Sequence, residues 1–413
     1  MSDLPVLIIG AGVSGLLLAQ HLKKQGIPYE IFERDTSFTT RGVGWGLTLH
    51  WSLDPLRSLI PDDLVEDLPY AYADRIAVEK GILAKAPYYD LTTGARIAET
   101  KSDALKVRVT RDRLRHLLAK GLDIQWGKSF HSFQDDGDSV TVTFDDGGKR
   151  TGRLLVGADG ASSRVRRALH PEHGQTYHLP VNVTGIKLIA TPEQVASIRE
   201  LDPYYFSGVA HNNTFLYASI LDAPGSNRDS GDTYTMQVSV SWEPRPGLLG
   251  REEPLKFPES QDERRALIHE IADTWTEPFK SFIHSIPKET EIQVLVVQDY
   301  IPPLDFKQKG RVTLIGDSVH AMAMYRGEGA NHAIYDIYEF SKRVTPHLVK
   351  NTMPDLRNAL NEFEETVAKR THPAVMASRR ACLDAHDFER VNDKSPLFLK
   401  REPWVEFTDA EME

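Results

Sequence analysis

The first thirty-three residues combine an unbroken apolar run, a glycine-rich stretch and a leucine-rich stretch. Residues 5–9 show no alternation of polar and apolar positions, which predicts a strand buried on both faces of a parallel sheet. Leucines at 16–18 and at 22 then continue as a helix that ends near Gly26. Tyr29–Glu33 is a second predicted strand. This order of strand, turn, helix and strand is typical of an α/β fold.

The centre of the chain, residues 177–297, has longer runs in which apolar and polar residues alternate. Met236, Val238, Val240 and Trp242 fall on one face of a strand, with polar residues between them. This pattern favours an antiparallel sheet with one face that is wet or lines a cavity.

The rest of the chain shows the patterns of both strands and helices. Buried strands are predicted at 154–157 and 311–315, and hairpin strands around 140–144 between Asp-Gly turns. Helices are predicted over 103–118 with Thr110 as the N-cap, over 262–283, from about Asn331, and from Pro354 onwards.

These elements predict an α/β fold with a Rossmann-like dinucleotide-binding domain, an inserted antiparallel-sheet substrate domain and C-terminal helices. The dinucleotide-binding domain is discontinuous in sequence, and we expect it to comprise residues 1–75, 101–176 and 298–350. Residues 76–100 and 177–297 form the substrate domain, and residues 351–413 form a C-terminal helical segment.

Composition narrows the class of protein. Of 413 residues, 40% are hydrophobic and 26% charged, as in ordinary globular proteins. The net charge of −10 argues against a nucleic-acid or anionic-membrane partner. A lone cysteine, Cys382, excludes an internal disulfide and a thiolate zinc site, and the histidines show no metal-binding spacing. We therefore expect a cytoplasmic protein with no membrane span, no nucleic-acid partner and no metal.

The glycine-rich stretch matches the pattern GxGxxG at Gly10, Gly12 and Gly15. In such a turn the first glycine permits the tight bend, the second lets backbone N–H groups approach a pyrophosphate, and the third lets the helix pack closely. Glu33 stands 18 residues after Gly15, where a carboxylate can accept a hydrogen bond from a ribose hydroxyl. The motif predicts a dinucleotide with an unphosphorylated adenosine ribose, and leaves FAD and NAD open.

Two later segments distinguish these cofactors. Residues 157–166 and 316–320 resemble the second and third fingerprints of class A flavoprotein monooxygenases, the family of para-hydroxybenzoate and salicylate hydroxylases. The three motifs occur in the family's order, and Glu33-Arg34 and Arg111-x-x-Leu114 also match its pattern. In general character the chain is similar to the fungal members of secondary metabolism. The resemblance implies FAD as the cofactor and NADPH or NADH as a transient reductant.

The same resemblance implies which residues contact FAD. Asp317 would bind the ribityl chain, Arg111 the flavin side chain or pyrophosphate, and the helix start after Arg326 the flavin pyrimidine edge. Asp159 and Arg166 would hold the region between pyrophosphate and nicotinamide, although an Asp-Gly turn and a solvated basic face are alternatives for these two. The expected cofactor-binding residues are Gly10, Gly12, Val13, Ser14, Gly15, Glu33, Arg34, Arg111, Asp159, Gly160, Arg166, Gly316, Asp317, Gly327, Gly329, Ala330 and Asn331.

The activity implied by the resemblance is oxygen transfer. NAD(P)H would reduce FAD, dioxygen would add at flavin C4a, and the hydroperoxide would pass one oxygen atom to an aromatic, polyketide or indole-type small molecule. The sheet face that carries Met236, Val238, Val240 and Trp242 could hold such a substrate. The candidate catalytic residues are Arg326, His50 and Tyr325. His50 and Asn331 also have structural interpretations beside the functional ones. His50 could be a core residue, and Asn331 could be an N-cap.

One position departs from the family pattern, because Met324 stands where the family usually has proline, four residues after His320. Two alternatives therefore stay open: a flavoprotein dehydrogenase or oxidase, and a non-redox cyclase or isomerase with FAD as a structural group. A flavin-binding interaction protein is a third. The substrate, the choice between NADPH and NADH and the oligomeric state do not follow from the sequence.

Overall fold

The computed structural model describes residues 4–41, 44–100, 105–227, 229–305, 308, 310–350 and 353–411. Its strands are β1 (Val6–Ile9), β2 (Tyr29–Glu33), β3 (Gly46–Leu49), β4 (Pro87–Asp90), β5 (Arg96–Glu99), β6 (Val107–Thr110), β7 (Ile124–Trp126), β8 (Phe130–Asp135), β9 (Val140–Phe144), β10 (Lys149–Gly152), β11 (Leu154–Gly157), β12 (Tyr177–His178), β13 (Asn182–Ala190), β14 (Tyr205–Val209), β15 (Thr214–Asp222), β16 (Tyr234–Trp242), β17 (Ile292–Leu295), β18 (Gln298–Asp299) and β19 (Val312–Leu314).

The α-helices are α1 (Val13–Lys24), α2 (Leu53–Leu59), α3 (Asp62–Asp67), α4 (Arg75–Glu79), α5 (Arg111–Ala119), α6 (Arg164–Leu169), α7 (Pro192–Leu201), α8 (Gln261–Ala272), α9 (Phe279–His284), α10 (Asp317–His320), α11 (Gly329–Arg343), α12 (Thr345–Lys350) and α13 (Met353–Asp384). In the described part of the chain, no helix is long and apolar enough to cross a membrane.

A five-stranded parallel sheet has the strand order β19-β11-β1-β2-β7. Its central strands are apolar on both faces and fully buried, as predicted, with Ile8 paired to Val156 on one side and Ile31 on the other. Because all five strands run in one direction, their carboxyl ends meet at one edge. Gly10, Glu33 and Ala158 directly follow or end three of these strands, so this edge is the expected place for a ligand.

A seven-stranded sheet, β17-β13-β16-β15-β14-β4-β5, is the second large layer. Its strands lie within 87–99 and 182–295, whereas the parallel sheet draws on 6–33, 124–157 and 312–314. A smaller antiparallel sheet, β10-β9-β8, contains the predicted hairpin around 140–144. The α/β fold class is confirmed, while the exact domain boundaries remain a prediction.

The prediction for the apolar face of β16 is wrong in one respect. Met236, Val238, Val240 and Trp242 do share a face, but this face is buried against α8 and α9 in one cluster. The opposite face carries Gln237, Ser239 and Ser241, which are also buried. It is this polar face that hydrogen-bonds to Gly46 of β3, to Arg108 of β6 and to Tyr325. Alternation identified the apolar face without showing what covers the other one.

Two helix predictions need correction. The segment 262–283 forms two helices, because α8 ends at Ala272 and α9 begins only after Pro278. The helix predicted from 103 begins at Arg111, since Val107 and Val109 pair with β3 instead, and residues 101–104 lie outside the described residues. Thr110 is at the N-cap position, but its hydroxyl donates to the carbonyl of Leu221.

Phe279 tests the apolar core of the second layer. Its ring is 1% exposed and lies 5.7 Å from the rings of both Tyr89 and Phe206. We expect Phe279→Ala to lower the free energy of unfolding by about 3–5 kcal/mol, because it leaves a cavity. Denaturant titration measures this change. The half-exposed Trp404 provides the control, and Trp404→Ala should change stability by about 0.5 kcal/mol or less. Equal effects of the two variants would refute the assignment of Phe279 to the core.

Candidate functional site

A cavity of about 380 Å³ lies at the carboxyl edge of the parallel sheet. Six cationic and four acidic residues border it, so its charge suits an anionic ligand. Its lining residues are Ile9, Gly10, Gly12, Phe32, Glu33, Arg34, Asp35, Gly44, Trp45, Arg111, Asp112, Arg115, Lys128, Ser129, Phe130, Ala158, Asp159, Gly160, Arg164, Lys187, Leu221 and Gln293. Seven of the predicted cofactor-binding residues are among them: Gly10, Gly12, Glu33, Arg34, Arg111, Asp159 and Gly160.

Each of the three glycines in the GxGxxG turn has a different structural role. Gly10 has φ of 108°, and a Cβ there would clash with the carbonyl of Ala158. A Cβ at Gly15 would clash with the carbonyl of Gly10, so helix α1 can approach the strand only with glycine. A Cβ at Gly12 would meet no atom within 4 Å, because this residue faces the cavity.

Helix α1 begins beside this open space. The N–H groups of Val13, Ser14 and Gly15, in the first turn, have no carbonyl partner within the helix. Gly12 is the N-cap and has no side chain that could accept a hydrogen bond from them. Such N–H groups, with the positive end of the helix dipole, bind phosphate groups. The cavity therefore fits the pyrophosphate of a dinucleotide.

Glu33 ends β2 at the same edge. Its side chain accepts hydrogen bonds from the backbone N–H of Ala11 at 2.8 Å and of Asp35 at 3.1 Å, and the residue is 6% exposed. These bonds hold the carboxylate against the glycine turn. Arg34 is exposed next to it, and Arg111 enters from the first turn of α5. The fit of Glu33 to a ribose hydroxyl remains a prediction.

The second motif is mainly a structural junction. Asp159 accepts hydrogen bonds from Ser163 Oγ at 2.5 Å and from the N–H of Arg164 at 2.7 Å, so its carboxylate stabilises the start of α6. Gly160 has φ of 80°, which makes Asp159-Gly160 the turn that the sequence offered as an alternative. Both residues still border the cavity.

Arg166 differs from the expectation. It is 1% exposed, and its guanidinium donates to backbone carbonyls rather than facing the cavity. Its acceptors are the carbonyls of Gly174, Ser318, Asp317 and Ala161, and it lies over the ring of Tyr300. Arg166 thus joins the second motif to the third.

The third motif brings α1 and α11 together. Gly316 has φ of 62°, and a Cβ there would clash with Ser14 Oγ. Asp317 is exposed, so the argument that burial would make it seek donors was wrong. Its Oδ1 lies 3.9 Å from the position of a Cβ at Gly329, which places it beside the start of α11. Met324, which replaces the family's proline, begins a 3₁₀ turn and is 43% exposed.

Helix α11 begins at Gly329 with Glu328 as N-cap, so the N-cap alternative for Asn331 is wrong. Asn331 joins α11 to β3 instead. Its side chain accepts from the N–H of His50 at 3.1 Å and from Ser52 Oγ at 2.7 Å, and donates to the carbonyl of Thr48 at 2.9 Å. Gly327, with φ of 67°, and Ala330 flank this junction.

Of the three candidate catalytic residues, Arg326 is fully engaged elsewhere. Its side chain is buried, pairs with Glu328 at 2.7 Å and donates to the carbonyls of Pro396 and Lys400. It therefore holds the C-terminal segment against the start of α11.

His50 is 5% exposed, and its Nδ1 has no hydrogen-bond partner among the described residues. Burial lowers the pKa of His50 to about 3, and the positive charges of Arg401, Lys106 and Arg326 act in the same direction. The ring is therefore neutral at physiological pH.

Tyr325 begins a hydrogen-bonded chain that the sequence did not predict. Its hydroxyl donates to Ser241 Oγ at 3.1 Å, and Ser241 lies 2.9 Å from His386 Nε2. His386 Nδ1 donates to the carbonyl of Cys382 at 2.7 Å, so Nε2 must accept from Ser241. Burial raises the pKa of Tyr325 and lowers that of His386 to about 4. Both groups are therefore neutral, and the donor direction runs from Tyr325 to His386.

The sequence also missed several cavity residues. Arg115 donates to the carbonyl of Ala11 at 3.1 Å, and Lys187 projects into the cavity from β13. Arg115 stands four residues after Arg111, so helical spacing could have identified it. Lys187, Lys128 and Trp45 reach the cavity only through tertiary packing, which the sequence pattern does not reveal.

Comparison with known proteins gives a consistent result. The model of the FAD binding domain family matches residues 3–370. A protein of Arthroderma benhamiae named "Probable FAD-dependent monooxygenase" is 39% identical over 96% of this chain and 95% of its own length. The FAD-dependent monooxygenase dbaB of Emericella nidulans is 38% identical over 83% of this chain and 86% of its own length.

Solved structures show the same fold. The 2,6-dihydroxypyridine-3-hydroxylase from Arthrobacter nicotinovorans has a TM-score of 0.72 at 19% identity and covers 98% of this chain and 99% of its own. A salicylate hydroxylase in a substrate complex has a TM-score of 0.70 at 17% identity, over 93% of this chain and 89% of its own.

Gly12 and Gly15 allow a test that separates ligand space from folding. Gly12→Ala should leave the stability of the apoprotein within about 1 kcal/mol, because its Cβ meets no protein atom. It should weaken FAD binding roughly 10-fold or more, which corresponds to about 1.4 kcal/mol of lost contact. Gly15→Ala should destabilise the apoprotein by about 1–3 kcal/mol. Fluorescence titration with FAD and thermal unfolding measure the two effects. Unchanged FAD affinity in Gly12→Ala would contradict the assignment.

His386 should make stability depend on pH. Its pKa is about 4 in the folded protein against a usual 6.5, so its contribution is complete above about pH 6.5 and is lost as the pH falls towards 4. The limiting slope is about 1.4 kcal/mol per pH unit. Denaturant unfolding of His386→Gln should show a shallower pH dependence than wild type in this window. His173→Gln, at an exposed histidine, is the control and should keep the wild-type slope. An unchanged slope in His386→Gln would disprove the assignment.

Proposed function

The chain belongs to the class A flavoprotein monooxygenases with an FAD binding domain, and we propose that it uses NADPH or NADH and dioxygen to oxygenate an aromatic, polyketide or indole-type small molecule. The observation that carries this proposal is the cavity at Gly12, where helix N–H groups, a glycine without a side chain and an excess of cations coincide. When bound, FAD would accept two electrons from a reduced nicotinamide and activate dioxygen at its C4a carbon.

The residues around the cavity would divide the binding of FAD between them. The first turn of α1, with Val13 and Ser14, would hold the pyrophosphate, and Glu33 the adenosine ribose. Asp317 would take the ribityl chain. The first turn of α11, from Gly329 to Asn331, would direct N–H groups and a helix dipole at the flavin pyrimidine edge, where they stabilise negative charge.

The polar face of the seven-stranded sheet would border the substrate. Around it, Tyr325 lies 5.1 Å from the ring of Phe215, and Tyr205 lies 6.2 Å from the ring of Tyr217. Aromatic side chains of this kind favour flat, electron-rich ligands. The C-terminal segment, held by Arg326, packs in one buried cluster with Phe215 and Tyr325 and would exclude water from this region. His50 and Tyr325 remain the candidates for contact with the reacting atoms.

Flavin reduction is the direct test. We expect NADPH or NADH to bleach the flavin of the anaerobic holoenzyme, and aromatic or indole ligands to accelerate bleaching. Re-aeration with isotopically labelled dioxygen should then place one labelled atom in the product of a competent substrate. A flavin that stays oxidised with both nucleotides across the ligand panel would refute the proposal. Stoichiometric hydrogen peroxide without an oxygenated product for any ligand would identify an oxidase instead.

A further inference from the structure

One wall of the cofactor cavity comes from the seven-stranded sheet and not from the parallel sheet. Leu221 of β15, Lys187 of β13 and Gln293 of β17 all line the cavity. Gly185 pairs with Gln293 and lies two residues before Lys187, so these three residues are on the same face of the sheet. Trp45 belongs to the same wall, because it lines the cavity and its indole packs on Gly185.

The missing side chain of Gly185 determines where this indole lies. A Cβ at Gly185 would lie 2.6 Å from Trp45 Cη2, 2.7 Å from Trp45 Cζ2 and 2.9 Å from Leu295 Cδ1. The backbone of Gly185 does not have a positive φ, so its conformation alone does not require glycine. The close approach of the indole to the strand therefore explains the glycine. Trp45 itself is only partly buried, because it also borders the cavity.

The backbone of Trp45 is held from a different element. Its carbonyl accepts a hydrogen bond from the N–H of Arg111 at 3.2 Å. A Cβ at the preceding Gly44 would lie 3.3 Å from Arg111 Cβ, so the two segments are in close contact. Arg111 begins α5 and lines the cavity as well. Trp45 is thus positioned by β13 at its ring and by α5 at its backbone, and it presents a flat, rigid apolar surface to the cavity.

The aromatic side chains that line the cavity, among the described residues, fall into two groups. Phe32 directly precedes Glu33 on β2, and Phe130 begins β8. Trp45 lies on the wall of the seven-stranded sheet instead. FAD has a flat ring system at each end, adenine and isoalloxazine. Because Glu33 is the expected partner of the adenosine ribose, the phenylalanines suit the adenine end and Trp45 suits the isoalloxazine end.

We propose that Trp45 is a positioning residue for the flavin: the isoalloxazine ring packs against its indole, and Gly185 determines how far the indole enters the cavity. This inference rests on the FAD binding in the proposed function, and it needs neither the reductant nor oxygen transfer. Contact with an indole also quenches flavin emission, because the excited flavin takes one electron from the indole and then returns it. No net chemical change remains, so the emission of the oxidised holoenzyme reports the contact.

Two substitutions of Trp45 separate its flat surface from its role as an electron donor. Trp45→Phe keeps an aromatic ring but removes the easily oxidised indole, so the flavin emission lifetime should lengthen while the Kd for FAD stays within about 2-fold of wild type. Trp45→Leu also removes the flat surface, and it should weaken FAD binding about 3- to 10-fold. Time-resolved flavin fluorescence of the holoenzyme and titration of the apoprotein with FAD measure these effects.

Gly185→Ala displaces the same indole without removing it. The new Cβ conflicts with the ring, which must move away from β13 and into the cavity. FAD binding should therefore weaken about 10-fold, while the emission stays quenched. In a Trp45→Leu background the conflict is absent, because Cη2 and Cζ2 are gone. There Gly185→Ala should change the affinity for FAD little further, and the two substitutions are then strongly non-additive.

Gly208 of β14 provides a matched control. It is also a strand glycine without a positive φ, and a Cβ there would clash with the side chain of Leu91. Neither Gly208 nor Leu91 lines the cavity. Gly208→Ala should lower the stability of the protein through this clash, but leave the Kd for FAD and the emission lifetime at their wild-type values. Its effects should add to those of Trp45→Leu.

An unchanged emission lifetime in Trp45→Phe would overturn the proposal, and so would a Gly185→Ala loss that persists in full in the Trp45→Leu background. If the variants of Trp45 do not fold, Gly185→Ala still decides, because wild-type affinity for FAD in that variant would also overturn it. The outcome is independent of flavin reduction. A holoenzyme that NADPH and NADH fail to reduce can still show these effects, and one that oxygenates a substrate can lack them.

Discussion

The arrangement of the site depends on the hydrogen bonds and the ion pair of the buried Asp336 carboxylate. Its Oδ2 accepts hydrogen bonds from the N–H of Gly316 at 2.6 Å and from His320 Nε2 at 2.7 Å, and its Oδ1 accepts from Arg370. Burial alone would raise the pKa of Asp336, but the charges of His320 and Arg370 outweigh it and lower that pKa. Loss of one partner from such a buried pair typically costs about 3–5 kcal/mol. The network holds the third motif, α11 and α13 in a single arrangement.

Local patterns could be predicted from the sequence, and long-range partners could not. Gly10, Gly12 and Gly15 act within a few residues of one another, so their spacing already contains the geometry of the turn. The sequence analysis assigned Arg326 and Arg166 to the site because it could not identify their backbone acceptors. These acceptors lie up to 74 and 152 residues away in the chain. A basic residue near a motif looks the same in sequence whether it faces a ligand or a backbone carbonyl.

The seven-stranded sheet illustrates the same limit at the level of layers. Its alternation was correctly predicted, but alternation does not show which face meets the rest of the protein. The larger apolar side chains are covered by α8 and α9, which leaves the serine and glutamine face towards β3 and β6. A polar face buried between two layers must satisfy its hydrogen bonds, and residues such as Ser241 and Gln237 do so through side chains from the other layer.

Gly316 and Ser14 are 302 positions apart in the sequence, yet a Cβ at 316 would lie only 2.4 Å from Ser14 Oγ. Ser14 belongs to the first turn of α1, which begins beside the cavity, and Gly316 belongs to the third motif, directly before α10. A side chain at 316 must displace Ser14 Oγ, and its Cβ would also lie 3.3 Å from the Cβ of Ala333 on α11. A single glycine therefore sets how closely the first turn of α1 and helix α11 approach each other, although these helices are far apart in the sequence.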